Sequence, residues 1–334
     1  GQAEYDLNNA IRIIHEEVDT VAIMTGYTMG GGCGLANHAD FRLVTDNVQW
    51  AMPECALGII PDVGSSGFLS VLPGTLGRYL ALTGQRLNSK EMILTGLGTH
   101  YIEWGQIPWL LERIESTDEF FSARQVRDIV ETYTEDVMEP EPMSDRLQAQ
   151  QDQVVVHFVA IERCFKHNSV AEIRSAVAEE KARGGRHAAW ADRTLQQLEA
   201  ASPTSLAVAL ELLRRVEAKM EKDGAQIAEC LELEFTAMRR VMENPDFFEG
   251  VRAFMVDKDR APKWAPEPTA EQVAAYFEPL PAEEALVLSR MNAWRPIDGD
   301  IELKRALAQK REEDEESVRV QEEVVAQVSR GMRS

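Results

Sequence analysis

GYTMGGGCGLANHAD, Gly26 to Asp40, places three consecutive glycines and a fourth at Gly34 inside an otherwise apolar run. Just before it, TVAIMTG (Thr20–Gly26) is β-branched and apolar, and is predicted to be a short buried strand stopped by Gly26. Within it, GLANHAD is predicted to be a short helix. Glycines between a strand and a helix N-terminus let a ligand approach the backbone with no Cβ in the way. They also sit where amide N–H groups are unpaired and the helix dipole is positive. The stretch is therefore a candidate anion site, for a phosphate or for the oxyanion of an attacked thioester carbonyl. No Lys follows as in a phosphate-binding GxxxxGK(S/T) loop, and no strand-borne acid follows at the distance a dinucleotide fingerprint needs. A tight turn needed only for packing would use the same glycines.

Outside this stretch, residues 6–18 carry Leu7, Ala10, Ile11 and Ile14 at helical spacing. FRLVTD (Phe41–Asp46) and VQWAMPE (Val48–Glu54) read as two further strands, and THYIEW (Thr99–Trp104) as a last one. LGRYLALTG (Leu76–Gly84) and NSKEMILTG (Asn88–Gly96) read as helices closed by a glycine, the second capped by Asn88 or Ser89. Beyond about residue 105 strand signals stop. SPTSLAVALELLRRVEAKM (Ser202–Met220) predicts a helix with Ser202 as cap and Pro203 in the first turn. AQIAECLELEFTAMRRVM (Ala225–Met242) predicts another, broken at Asn244–Asp246, and FFEGVRAFMVDK a short one after it. The chain thus divides into a core over 1–105, a helical region over 106–281 and a tail over 282–334. The tail is expected to be a helix charged nearly all round, either solvated or an arm for a protein partner.

The formal net charge of the 334 residues is −21. So acidic a surface repels phosphate backbones and anionic headgroups, and direct nucleic-acid or membrane binding is not expected. No run approaches the roughly 18 apolar residues that span a bilayer. Cys33, Cys55, Cys164 and Cys230 are scattered with no CxxC pair, which predicts neither a metal site nor a disulfide framework.

Two acids sharpen the glycine reading. AMPECALGIIPDVG (Ala51–Gly64) sets Glu54 and Asp62 among apolar residues, each directly after a proline. A carboxylate in apolar surroundings is usually paired, hydrogen-bonded or functional, and desolvation raises its pKa toward that of a general base. Asp62 could equally cap the next helix.

These residues together resemble the crotonase (enoyl-CoA hydratase/isomerase) superfamily, and within it the 3-hydroxyisobutyryl-CoA hydrolase branch. The resemblance is carried by GYTMGGGCGLANHADFRL, AMPECALGIIPDVG, LGRYLALTGQRLNSKE, GLGTHYI, ASPTSL and NPDFFEGVRAFMVDKDRAPKW. It implies an α/β fold, a crotonase-like spiral of ββα repeats with a helical C-terminal region, whose opening N-terminal part precedes Gly1. It implies that Gly31 supplies one oxyanion-hole N–H, with Gly30 and Gly34 beside it in the substrate site. Glu54 would activate water or attack the thioester, and Asp62 would position the 3-hydroxyl or assist proton transfer. Hydratases of the superfamily carry a glutamate where this chain has Gly34, so the resemblance favours hydrolysis of 3-hydroxyisobutyryl-CoA in valine breakdown. No cofactor beyond the CoA of the substrate is implied. A mitochondrial location, a homo-oligomer and a CoA contact from Lys258 are further expectations. A non-catalytic ribosomal subunit and a double-bond isomerase are the alternative readings. Ser65 and Ser66 depart from the branch, which usually has glycines there.

Overall fold

The computed structural model describes residues 2–14, 18–116, 123–134, 154–223 and 226–288. Its strands form two small parallel sheets fed alternately by the chain. β1 (Val21–Met24), β3 (Phe41–Val44) and β5 (His100–Tyr101) make one, in that order. β2 (Tyr27–Met29) and β4 (Gln49–Ala51) make the other. Val21 lies beside Phe41 and Met24 beside Val44, while Tyr27 lies beside Gln49 and Met29 beside Ala51. The first two turns of the chain therefore each add one strand to each sheet and then a helix, which is the ββα repeat, and β5 adds a third strand to the first sheet alone. Leu43 and Val44 are fully buried, as expected of parallel strands covered on both faces. β2 is absent from the sequence reading. It is three residues long and exposes Tyr27, so neither length nor alternation announces it.

The helices before the switch at residue 105 are α1 (Gln2–Ile13), α2 (Gly31–Asn37), α3 (Ser65–Ser70), α4 (Leu76–Thr83) and α5 (Ser89–Thr95). Asn88 caps α5 and forms a capping box with Glu91. Gly84 and Gly96 close α4 and α5 with left-handed φ of 60° and 80°. α1 begins earlier than its apolar spacing predicts. It buries Tyr5, Asn8 and Asn9 while Leu7 is half exposed, because its inner face leans on a polar site.

Every described element after Tyr101 is helical: α6 (Ile107–Glu115), α7 (Ala123–Tyr133), α8 (Val154–Phe165), α9 (Val170–Arg183), α10 (Ala188–Ala200), α11 (Pro203–Asp223), α12 (Ile227–Val241), α13 (Pro245–Val251) and α14 (Ala270–Ala275). Helices α8–α12 and α14 share one core with the spiral, which includes Trp50, Met52, Tyr79, Leu80, Phe165, Leu206 and Leu213, while α6 and α7 pack on β3 in a second cluster with Phe41, Leu43, Leu110, Ile129 and Val130. Gly1–Ser289 is one compact unit. The tail predicted over 282–334 lies, from residue 289 on, outside the described residues.

Ser202 joins the two regions as more than a cap. Its Oγ accepts from Ser205 N–H (3.0 Å) and donates to Asp246 Oδ2 (2.6 Å), and its own N–H donates to the Cys55 carbonyl (3.0 Å). Asp246, at the start of α13, also accepts from Ala265 N–H at 2.7 Å. The short turn that carries Glu54 is thus tied to α11 and α13. Ser202→Ala removes a cap and leaves a buried carboxylate oxygen short of a donor, and is expected to cost about 2 kcal/mol. A lowered urea midpoint with unchanged slope would register that loss.

Candidate active site

Gly30, in a positive-φ conformation (54°), is the N-cap of α2, and Gly31 is its first residue. Cys33 and Gly34 N–H both turn back to the Gly30 carbonyl, so the N–H groups ahead of them stand at the positive end of the helix. A methyl built on Gly30 would lie 3.2 Å from Glu54 Oε1, and one built on Gly31 would lie 2.6 Å from Glu4 Oε1. Two carboxyl groups therefore meet the bare backbone of the glycine run, one on each side.

β4 delivers Glu54. The strand ends at Ala51, Pro53 turns the chain, and Glu54 opens a single 3-10 turn to Leu57. Its side chain is buried (4% exposed), and Oε2 has no hydrogen-bond partner. Burial pushes the carboxyl up to about 8, against relief from its own backbone N–H, and the negative charge of Asp62 adds to the rise. A carboxyl in this state keeps its proton in most molecules at neutral pH and is half ionised near 8, within reach of work as a general base.

Asp62 lies half-buried at the end of the same segment. Tyr5 O–H donates to its Oδ2 at 2.8 Å. Burial raises Asp62 to about 6, the Tyr5 hydrogen bond works against that, and Glu4 reinforces it. Burial and the Asp62 charge hold the Tyr5 phenol well above its ordinary value, so it remains a neutral donor. Asp62 and Tyr5 form one end of a cleft of about 560 Å³ walled by Ile59, Phe235, Met238, Met242 and Phe247. Gln2, Arg239, Glu283 and Glu284 also line it, so the cleft joins an apolar wall to a polar one.

Gly34 has a packing task. A methyl there would come within 2.6 Å of Val63 Cβ and 3.0 Å of Asn8 Nδ2. The place where related hydratases were expected to carry a second acid is filled by Val63, one residue from Asp62. Lys258 is exposed on the turn after α13, with φ of 56°. Among the described residues no contact joins it to Glu54 or Asp62. His38 is a buried supporting group: Nε2–H donates to the Val63 carbonyl at 2.8 Å, and burial lowers the ring to about 4. Cys33 and Cys55 are buried, and burial raises both thiols, so neither is an activated nucleophile. No group of three or more His, Cys, Asp or Glu suited to a metal occurs among the described residues.

Sequence reasoning missed Glu4, Tyr5 and Glu234. Glu4 and Tyr5 carry no local signal, because only the packing of α1 across α2 brings them to the site. Glu234 did carry one. It lies in the apolar stripe Cys230, Leu231, Glu234, Ala237, Met238 and Val241 of α12, where an acid has no bland explanation.

The family model for enoyl-CoA hydratase/isomerase matches residues 1–279. The chain belongs to this crotonase family. Among the relatives of this family member, a mitochondrial 3-hydroxyisobutyryl-CoA hydrolase of Dictyostelium discoideum is 38% identical over 285 residues, 83% of this chain and 68% of that protein. A 3-hydroxyisobutyryl-CoA hydrolase of Arabidopsis thaliana is 37% identical over 300 residues, 87% of this chain and 73% of its own length. Among solved structures, an enoyl-CoA hydratase from Rhodobacter sphaeroides superposes with a TM-score of 0.69 at 31% identity, covering 86% of this chain and 75% of that one. The crotonase fold expected from the glycine and acid motifs is the fold observed.

Gly34→Ala in this family member forces Val63 off its seat. The expected cost is about 2 kcal/mol, read as a fall in thermal midpoint. Gly34→Glu is expected to cost more and to gain no ability to hydrate an enoyl thioester.

Proposed function

We propose that the chain hydrolyses an acyl-CoA thioester, with 3-hydroxyisobutyryl-CoA as substrate and 3-hydroxyisobutyrate and CoA as products. The observation that carries this reading is Glu54: a buried carboxyl, raised toward neutrality, against the bare backbone of the Gly30–Gly31 corner. Named relatives with that activity, at 34–38% identity, support it.

In the proposed reaction the thioester oxygen faces the Gly31 N–H, where a developing negative charge meets the helix N-terminus. Glu54 as carboxylate takes a proton from water while the water oxygen bonds to the carbonyl carbon. The tetrahedral oxyanion then collapses, the carbon–sulfur bond breaks, and the proton on Glu54 passes to the departing CoA sulfur. Asp62, oriented by Tyr5, accepts a hydrogen bond from the 3-hydroxyl of the acyl group. The apolar wall of the cleft beside it, Ile59, Phe235, Met238 and Phe247, takes the carbon chain. Val63 at the face of Gly34 leaves no second acid to add water across a double bond, which favours hydrolysis over hydration. Several of the relatives are named as mitochondrial, and we extend that location to this chain.

Glu54→Gln keeps the shape of the side chain and cannot accept a proton. It is expected to lower CoA release, followed with a thiol reagent, by about 100-fold or more. The same variant is expected to be more stable at alkaline pH. A carboxyl raised from 4.5 to about 8 in the fold stabilises it below the unfolded value, and that contribution is lost as pH rises through about 8. At pH 9 the amide should melt higher than the native carboxylate, and no such difference is expected at pH 4; unchanged turnover would remove Glu54 from the proposed role.

A further inference from the structure

The turn that bears Asp62 is held in a conformation its own sequence resists. Val63 is β-branched and has φ of 59°, a region such residues rarely enter because Cβ crowds the backbone. It carries no hydrogen-bonding side chain that could hold it there. The restraint comes from outside. On one side His38 donates to the Val63 carbonyl at 2.8 Å. On the other side stands Glu234 of α12, about 170 residues away in sequence. Its Oε2 accepts from Gly64 N–H at 2.7 Å, and its Oε1 accepts from Ser66 N–H at 2.8 Å and from Ser66 Oγ–H at 2.6 Å.

Glu234 is fully buried. A buried carboxylate is costly unless its lone pairs are satisfied, and here three donors converge on it. All three belong to the segment directly after Asp62, at the N-terminus of α3. Because α3 starts at Ser65 with glycine before it, the turn has no side chain of its own to cap these amides. Glu234 supplies that cap from the helical region. Ser66, one of the two serines that depart from the branch pattern, adds a hydroxyl donor that glycine would not give. Burial, with the nearby charge of Asp62, pushes Glu234 up to about 8, while the three donors favour its ionised form.

We infer that Glu234 is a positioning residue for the reaction: it fixes the Asp62–Val63–Gly64 turn, and through it the carboxylate of Asp62. This rests on the role proposed above for Asp62. Once substrate is bound, loss of the clamp leaves Gly64 and Ser66 amides unpaired, lets Val63 relax to negative φ, and swings Asp62 away from the acyl group. Groups bound elsewhere along the thioester are untouched.

The test is a double-mutant cycle in the full-length protein, with kcat, KM and thermal midpoint measured for each variant. Glu234→Leu is expected to lower kcat by about tenfold or more with KM within about twofold, and Glu234→Gln, which still offers one acceptor, to recover part of that loss. Ser66→Ala, which removes one donor and little else, is expected to show a smaller loss of the same kind. Glu180→Gln breaks a buried acid bound to Arg163 and Arg183 in the same helical region, and should lower the midpoint with kcat unchanged. The deciding comparison is made on Asp62→Asn. If Glu234 acts through Asp62, adding Glu234→Gln to Asp62→Asn costs no further kcat. A multiplicative loss, or a kcat loss that only tracks the midpoint across all variants, overturns the inference. Should Asp62→Asn alone leave kcat unchanged, the role given to Asp62 fails instead, and that outcome is read independently of Glu234.

Discussion

A carboxyl group removed from water has to be held there, and most of this fold can be traced to holding one. Glu54 is buried with one oxygen unpartnered beside the glycine corner. Left alone, such a group would turn out to solvent. It stays in place because the turn that carries it is held from two sides. The second parallel sheet fixes its start through β4. Ser202 holds the residue after Glu54 by donating to the Cys55 carbonyl, and Asp246 ties Ser202 in turn to α13. The helical region is therefore structural support for the acid as much as a cover for the core.

The second acid depends on the same plan carried out by different means. Asp62 sits on a turn whose strained residue, Val63, is seated in the space that Gly34 leaves open. His38 and Glu234 then grip the turn from opposite sides. One glycine in α2 and one glutamate in α12 thus bear on the position of a carboxylate that neither touches. The clustering of acids explains why the site stays neutral enough to persist. The charge of Glu4 raises Asp62 and that of Asp62 raises Glu54, so each additional negative charge is disfavoured there.

Local chemistry made part of this legible in advance. The glycine run, the two Pro–acid pairs and the caps at Asn88, Gly84 and Gly96 are dictated by neighbours in sequence, and the fold uses each as its residue type predicts. Glu54 was visible because an acid in an apolar run has few alternatives. The remainder depends on contacts between distant segments. The short strand β2 has no pattern of its own and exists because β4 lies beside it. The inner face of α1 is polar, contrary to its apolar spacing, because it packs on acids that are far from it in sequence. Gly34 read as an empty position, a missing acid; its physical content is the Val63 side chain that fills it. Glu234 shows the limit most clearly. Its place in the apolar stripe of α12 was readable, but the three donors it serves lie in α3.

The proposed chemistry depends on the state of one side chain, so the most direct measurement is the titration of Glu54 itself. Carboxyl carbon NMR of the full-length protein, with the resonance assigned by its loss in Glu54→Gln, follows that group without reference to turnover. The account predicts a carboxyl that keeps its proton through neutral pH and titrates near 8. A Glu54 resonance that titrates near the ordinary 4.5 would show a solvated carboxylate and contradict it.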